Sequence, residues 1–345
     1  MAKYYPLKEL TVARTREFLR EPEAIFWVYI FPLILMVGLG IAFRGGGRKD
    51  LRIDITESPG SREIAKAIEL QAGFLVEVVP METARARYMT GKVDLIVHVM
   101  EHSYEFIYDP SRLGAEEAKI KVNDALQAFA GRRDPIPWKD LPITEPGSRY
   151  IDWLIPGLMG MNIMGGGLWG LGFVTVDLRM RKLLKRFVAT PMRRSHFLLA
   201  LIGSRLFFLL TEMAAILLAG HLIFGLSVRG SIMGLAVIVF LGCVCFGGLG
   251  LLIASRTDKI ETISGLLNFV MLPMYILSGI FFSAERFPVS MQPFIQALPL
   301  TQLNNALRAV ILEGASLESQ WIPAVVMTAF GLAGFALALR WFRWQ

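Results

Sequence analysis

The chain has 345 residues, 54% of them hydrophobic and 19% charged, with a mean hydropathy of +0.49. Soluble domains carry about a quarter charged residues, so this composition excludes an ordinary soluble globular protein. The net charge of +7 does not indicate a nucleic-acid partner, because residues 44–149 hold 16 basic and 17 acidic residues and the excess lies in short segments beside apolar runs.

The first predicted element, residues 1–23, contains an amphipathic helix over residues 3–21, which Pro22 ends. A basic amphipathic helix beside a membrane span lies in the plane of the interface. We predict either an anchor in anionic lipid or a lever that contacts a cytoplasmic partner. The apolar side of this elbow helix carries Leu7, Leu10, Ala13 and Phe18, and its basic side carries Lys8, Arg14, Arg16 and Arg20.

Helices that cross a membrane need about 20 apolar residues, and six runs of the chain reach that length. They predict a polytopic α-helical membrane protein with six transmembrane helices. Cys243 and Cys245 lie in one run, where we expect small side chains that face lipid. The predicted spans are residues 24–43, 150–174, 197–223, 231–254, 261–282 and 321–339, so residues 150–345 hold all but the first.

The charges of the short segments predict the topology. Alternating spans place the N-terminus, the loops 175–196 and 255–260, and the C-terminus on one side, and these segments carry most of the Lys and Arg residues outside 44–149. The positive-inside rule makes that side cytoplasmic. We therefore expect a multi-pass protein of a prokaryotic cell (inner) membrane, with both termini in the cytoplasm.

Residues 44–149 separate the first two spans and lie outside the cell in this topology. Their alternating strand and helix patterns predict a small extracytoplasmic α/β domain with helices packed on one sheet. We expect it to bind substrate, bind a partner or cover an exit. His98 falls in a strand, so with His102 it forms no helical metal pair, and we predict no metal site and no catalytic residues. The predicted strands are 51–56, 74–79, 93–100 and 104–108, and the predicted helices begin at Ser61, Met81 and Gly114.

The loop 175–196 joins the second and third spans and contains another amphipathic segment. A short helix of this kind can bind in a groove on a partner protein. Alternatively, its charges only hold the loop in the cytoplasm. Thr190-Pro191 ends the segment, and its apolar residues at helical spacing are Leu183, Leu184, Phe187 and Val188.

Small, polar and ionisable residues inside the predicted spans are candidates for a polar pathway or for helix packing. Gly166 and Gly170 form a GxxxG pair, which favours close helix contact within one chain or between two. Glu212 should face the protein interior or a wet cavity, whereas Arg205 can extend toward the cytoplasmic interface. Pro273 should kink the fifth span. The complete set is Asn162, Gly166, Gly170, Glu212, Asn268 and Pro273.

Residues 284–312 follow the fifth span and are interrupted by prolines, so we predict short helices in the outer leaflet rather than another span. Three segments around these elements resemble those of a known family: LLKRFVATP at 183–191, LPMYILSGIFF at 272–282 and LPLTQLNNALR at 298–308. Together with the elbow helix, the first span and the outer domain in the same order, they make the chain resemble the ABC-2 type of ABC transporter permease. The resemblance covers essentially the whole chain.

The resemblance implies an exporter of two permease subunits, identical or different, driven by two separate ABC ATPase subunits that bind ATP and Mg²⁺. Substrate, which includes drugs and lipids among relatives, would pass between the permeases near spans two and five. The elbow helix would brace the coupling helix. The coupling residues implied are Leu183, Leu184, Lys185, Arg186, Phe187, Ala189, Thr190 and Pro191, and the outer gate would be Ser278, Gly279, Phe281 and Phe282.

The chain itself is not predicted to be an enzyme. It contains no G-x-x-x-x-G-K-[ST] sequence, the loop that cradles phosphates in P-loop ATPases. Two other classes remain open at this point. An ion-coupled secondary transporter would need no ATPase and would usually contain inverted repeats. A membrane sensor would use the outer domain as its receptor.

Overall fold

The computed structural model describes residues 6–43, 50–70, 73–100, 103–110, 112, 114–132, 149–183 and 194–341, with the backbone alone for 6–10, 13–14 and 194–200. The chain divides into two compact units. One combines Met1–Arg44 with Ile143–Gln345, and the other is Gly45–Pro142.

The N-terminal part of the chain contains two helices followed by strands and helices in alternation. Helix α2 begins with a proline, whose missing N–H is not needed in a first turn, and contains a π turn at Phe26–Ile30. The elements are α1 (Pro6–Leu19), α2 (Pro22–Ala42), β1 (Leu51–Thr56), α3 (Ser61–Glu69), β2 (Phe74–Val79), α4 (Met81–Met89), β3 (Leu95–Val99), β4 (Tyr104–Ile107) and α5 (Ala115–Phe129).

The unit Gly45–Pro142 is built on a four-stranded sheet of order β2-β1-β3-β4. Strand β1 is parallel to β2 and β3, and β4 is antiparallel to β3. Alternate residues of the central strands, such as Ile53 and Leu95, form a buried core with residues of α3 and α5. The predicted strands 51–56 and 74–79 are confirmed at both ends, because their apolar pattern and the flanking turn residues both mark the boundaries.

The opposite face of β1 carries a partly buried polar cluster around Asp54, which is 1% exposed. Arg87 Nε lies 3.2 Å from Asp54 Oδ2, and Arg87 also donates to Glu77. Burial raises the pKa of Asp54 while Arg87 opposes that rise, whereas the hydrogen bond from Arg87 lowers the pKa of Glu77. His98 lies on β3, as predicted, with Nδ1 2.8 Å from Thr56 Oγ1. His102 lies outside the described residues.

The C-terminal part contains the remaining helices of the other unit. They are α6 (150–180), α7 (Arg194–Phe224), α8 (Ile232–Ala254), α9 (Ile260–Leu277), α10 (Gln292–Ala297), α11 (Pro299–Arg308) and α12 (Trp321–Trp341). Helix α6 contains a π turn at Leu168–Phe173 and continues to Met180. The prediction that a loop begins at 175 is therefore wrong, because Val176 and Leu178 are buried as part of the helix.

Helix α9 ends at Leu277, five residues before the predicted end of the fifth span. The reason is Gly279, whose φ of 72° is in the left-handed region that ends helices. The short helices predicted within 284–312 are present as α10 and α11, with 3-10 turns before them and a π turn after them.

Five helices of the described chain are long and apolar enough to cross a membrane. They are Pro22–Ala42, Leu201–Phe224, Ile232–Ala254, Ile260–Leu277 and Glu318–Trp341. Large apolar side chains on their surfaces are exposed, among them Phe269 (77%) and Leu332 (61%), as expected of surfaces that face lipid. The protein is therefore a multi-pass membrane protein. Residues 150–180 are also helical, but their glycines make them less apolar than these five.

Helix α8 lies at the centre of the helical unit and meets its neighbours through glycines. A Cβ atom at Gly250 would lie 2.6 Å from the carbonyl oxygen of Gly167 on α6, and one at Gly248 would lie 2.5 Å from that of Gly331 on α12. Small residues allow this close approach of helices in lipid. The prediction that Cys243 and Cys245 face lipid is wrong, since both are buried inside the protein.

Candidate functional site

A buried ion pair lies inside α7. Arg205 Nη1 is 3.0 Å from Glu212 Oε1, and Arg205 Nη2 is 3.1 Å from Glu212 Oε2. The two residues are seven positions apart, which places them on the same side of the helix two turns from each other. Both are buried, at 8% and 1% exposure. One hydrogen bond and a second close contact between the charged groups therefore keep the two charges together inside the membrane unit as a neutral pair.

The arginine of this pair occupies a notch made by glycines of α6. A Cβ atom at Gly166 would overlap its guanidinium group, and one at Gly170 would lie 2.9 Å from Arg205 Cδ. The alternative that Arg205 extends toward the cytoplasmic interface is wrong. The GxxxG pair therefore makes an intrachain contact, and it receives a side chain rather than a helix backbone.

The other polar candidates occupy different surroundings. Asn162 is half-buried, and its Nδ2 has no hydrogen-bond partner within the described chain. Asn268 and Pro273 are exposed on the outer surface of α9. Helices α6 and α9 are in contact, since Trp169 Nε1 donates to Met271 Sδ at 3.1 Å. Glu212 is thus enclosed within the subunit, whereas Asn268 lies on the exposed surface of α9.

The predicted gate segment is held in place by an arginine of α11. Arg308 donates to the carbonyl oxygens of Gly279 and Trp153, and its guanidinium lies 3.5 Å from the centroid of the Trp153 ring. Asn304 Nδ2 donates to Ser278 O at 2.8 Å. The bonds to Ser278 O and Gly279 O satisfy carbonyl groups that follow the end of α9, and the bond to Trp153 O joins α11 to α6.

The gate residues themselves differ in exposure. Ser278 is buried, and Phe281 packs against the core of the unit. Phe282 is 38% exposed, and its ring centroid lies 5.9 Å from that of Phe287. The first half of the segment is therefore fixed inside the protein, and Phe282 is the member that reaches the surface.

Replacing Arg308 with methionine should lower the free energy of unfolding by about 2 kcal/mol, because two buried carbonyl groups lose a charged donor. Methionine keeps a similar apolar length and so limits loss of packing. Equilibrium unfolding in mixed micelles, followed by tryptophan fluorescence, measures the change. The matched control is Arg286→Met, at an exposed arginine on a neighbouring turn, which should change stability by less than about 0.5 kcal/mol. Equal changes in the free energy of unfolding for the two substitutions would contradict the inference that Arg308 holds the gate segment in place.

The elbow helix is present as α1, which ends at Leu19, two residues before the predicted end. The ring centroid of Phe18 lies 4.1 Å from that of Phe208 on α7 and 6.4 Å from that of Tyr29 on α2. The side chains of Leu7, Leu10 and Arg14 lie outside the described residues. The contact of Phe18 packs α1 against α7, and the predicted brace between the elbow helix and the coupling helix stays a prediction.

The predicted coupling segment lies almost entirely outside the described residues. Leu183 is helical and half-buried, and Lys182 before it has a φ of 57°, which ends α6. Leu184, Lys185, Arg186, Phe187, Ala189, Thr190 and Pro191 lie in the part that is not described.

Sequence reasoning missed three buried side chains that hold the unit together: Arg179, Asn304 and Arg308. In the sequence, Arg179 stood out only as one of the basic residues of the loop 175–196, and Arg308 only as the last residue of the resembling segment 298–308. The available signal was that Arg308 is the only ionisable residue between Arg286 and Glu313, since a lone ionisable group in a membrane segment usually faces the protein interior.

Comparison with known proteins identifies a family whose sequences match most of this chain. The sequence pattern of one family, the ABC-2 family transporter proteins, matches residues 22–340. That range includes the ion pair, the glycine notch and the clamped segment after α9.

Curated relatives match parts of the chain. ABC transporter G family member 20 of Dictyostelium discoideum is 26% identical over 192 residues, which are 54% of this chain and 26% of the relative. The inner membrane transport permease YhhJ of Escherichia coli is 26% identical over 121 residues, 35% of this chain and 32% of the relative. A protein of the same name from Shigella flexneri matches equally. The chain thus spans between a quarter and a third of the length of these relatives.

Proposed function

The chain belongs to the ABC-2 family of transporter proteins, and from this premise we propose that it is the permease subunit of an ATP-driven exporter. The family makes it a transport permease of an ABC transporter and implies ABC ATPase subunits as partners. The match over residues 22–340 is the observation that carries the proposal. In this proposal the direction of transport is export, and the cargo is a drug or a lipid.

The proposed topology has six spans. Five are the long apolar helices, and the sixth is residues 150–180, which are helical along their length and buried by their neighbours. The short basic segments then lie in the cytoplasm, and the α/β unit lies outside the cell as an extracytoplasmic domain. The name of the Escherichia coli relative supports an inner membrane of a prokaryote.

We place the translocation path at the surface of α9, between two permease subunits. The support is that Asn268 is exposed in the middle of a largely apolar helix, and polar groups in a span usually face protein or water rather than lipid. A second subunit, identical or different, would supply the other wall. Phe282 would lie at the outer end of this path as part of the gate.

Phe187→Asp and Arg186→Glu should each reduce ATPase binding or permease-stimulated ATP hydrolysis roughly tenfold, because a buried anchor of a helix-in-groove contact carries most of its affinity. Co-purification of the full-length permease with its ABC ATPase, followed by ATPase assays in proteoliposomes, measures both quantities. The matched control is Arg340→Glu, which makes the same charge reversal at an exposed arginine at the end of α12.

The same preparation separates the competing functions. Cargo movement by the purified permease without any ATPase would support a secondary transporter instead. Binding of a ligand to the outer domain without transport would support a sensor. Labelling of Lys185→Cys from outside the cell would contradict the proposed topology.

A further inference from the structure

Arg179 is an arginine of the last turn of α6 whose side chain is 5% exposed. It lies four residues before Leu183, where the proposed coupling segment begins. Its guanidinium does not point to solvent. Arg179 Nη1 donates to Ala254 O at 2.9 Å and to Thr257 O at 2.6 Å, and Nη2 lies 3.5 Å from Ser255 O.

These carbonyl groups belong to the end of α8 and to the connection that leads into α9. The last carbonyls of any helix have no partner within it. At the end of α8, Leu252 O accepts from Ser255 Oγ and Ile253 O accepts from Thr257 Oγ1. Arg179 adds a donor from a different helix, because it donates to Ala254 O, which also accepts from Thr257 N at 3.4 Å.

The position of Arg179 suits its charge as well as its donors. The C-terminus of a helix carries a partial negative charge that favours a cation. Asp258 adds a carboxylate, with Oδ1 3.6 Å from Arg179 Nη1. A planar guanidinium can donate to several acceptors at once, which a lysine ammonium on a flexible stem cannot reproduce in the same geometry.

We propose that Arg179 is a positioning residue of energy coupling, which fastens the cytoplasmic end of α6 to the α8–α9 connection. Displacement of the 183–191 segment by the ATPase then moves α8 and α9 together with α6. The inference rests on the proposed function, since it assigns to α6 the movement that an ATPase supplies. Through the contact of Arg179 with the α8–α9 connection, that movement reaches α9, the helix beside the proposed path.

The test uses the full-length permease in complex with its ABC ATPase and a reporter cysteine at Thr262, an exposed residue in the first turn of α9. A fluorescent maleimide is the probe, and its labelling rate is measured without nucleotide and with ATP plus vanadate. Protein without the reporter gives the background of Cys243 and Cys245. We expect nucleotide to change the labelling rate in the parent, and Arg179→Gln to reduce that response roughly tenfold while the ATPase still binds.

Arg181→Gln is the matched control. Arg181 lies two residues further on, is 66% exposed and pairs with Asp177 on its own helix, so its loss should leave the nucleotide response at the parental level. Arg179→Lys keeps the charge but replaces the planar guanidinium with a single donor nitrogen, so we expect a response between those of the parent and Arg179→Gln. A residue that only stabilised the fold would lower yield without altering the response of the assembled complex.

Hydrogen exchange of the permease alone gives a second measurement that needs no ATPase. In Arg179→Gln and in Arg179→Lys, the amides of residues 255–260 should exchange several-fold faster than in the parent, because their connection loses its clamp. Unchanged exchange there would overturn the proposal, as would a parental nucleotide response in Arg179→Gln. If Phe187→Asp removes the response while Arg179→Gln keeps it, the inference fails and the proposed function stands. If no ATPase binds any variant or the parent, the proposed function fails.

Discussion

Replacing Glu212 with leucine should destabilise the protein by about 3–5 kcal/mol, because it leaves Arg205 charged and unpaired in a buried site. Glu212 Oε2 accepts a hydrogen bond from Arg205 Nη2, and Oε1 lies 3.0 Å from Arg205 Nη1. The guanidinium is packed against Gly166 of α6. Equilibrium unfolding in mixed micelles measures the loss. The yield of folded protein in membranes should fall with it.

The double variant Arg205→Met with Glu212→Leu provides the control for this experiment. It removes both charges and keeps apolar side chains of similar length, and such replacements of buried pairs are often neutral or stabilising. We expect it to recover most of the stability lost in Glu212→Leu. If the double variant is as unstable as the single one, the cost comes from packing rather than from the unpaired charge. Loss of transport in a stable double variant would instead assign the pair to the path.

Replacing Gly250 with alanine should cost about 3 kcal/mol, at the top of the usual range for overpacking. The added methyl group would lie 2.6 Å from Gly167 O and 3.1 Å from Leu168 Cα. These are backbone atoms of α6, so they cannot rotate away as a side chain would. Helices α6 and α8 must separate to accept the methyl group, and they lie at the centre of the buried core.

Gly165→Ala on α6 makes the same substitution as a control, and its expected change in stability has the opposite sign. No atom lies within 4 Å of a Cβ atom placed at Gly165, so the methyl group meets open space. Alanine favours a helix over glycine by about 1 kcal/mol, and the variant should therefore be as stable as the parent or slightly more stable. Similar destabilisation in both variants would contradict the α6–α8 contact as the cause, because the methyl group at Gly165 meets none of the backbone atoms that it meets at Gly250.

Much of the local structure could be predicted because local patterns determine it. The ends of α8 fall within one residue of the predicted span 231–254, since Ser231 caps the first turn by accepting from Gly234 N. Strand β1 coincides with its predicted range because its apolar residues lie between turn residues. Where a boundary depended on distant contacts, as at the end of α6, the prediction stopped six residues too early.

The candidate site was predicted only as a set of separate residues. Glu212 and the Gly166–Gly170 pair were noticed individually, but the position of Arg205 between them was not. Arg308 and Asn304 lie in one resembling segment, and Ser278 and Gly279 lie in another. The hydrogen bonds that join the two segments connect residues 26 and 29 positions apart, a separation at which no periodicity of the sequence carries information.

The sequence by itself determined that this is a multi-pass membrane protein of the ABC-2 family with an α/β segment after its first helix. Hydrophobic length, charge bias and strand periodicity are properties of neighbouring residues, so they can be read along the chain. Only the tertiary structure decided which charges are exposed and which are buried. Arg181 and Arg179 are two residues apart in a helix, yet one is 66% exposed and the other holds the end of α8, because burial depends on which helix packs against each face.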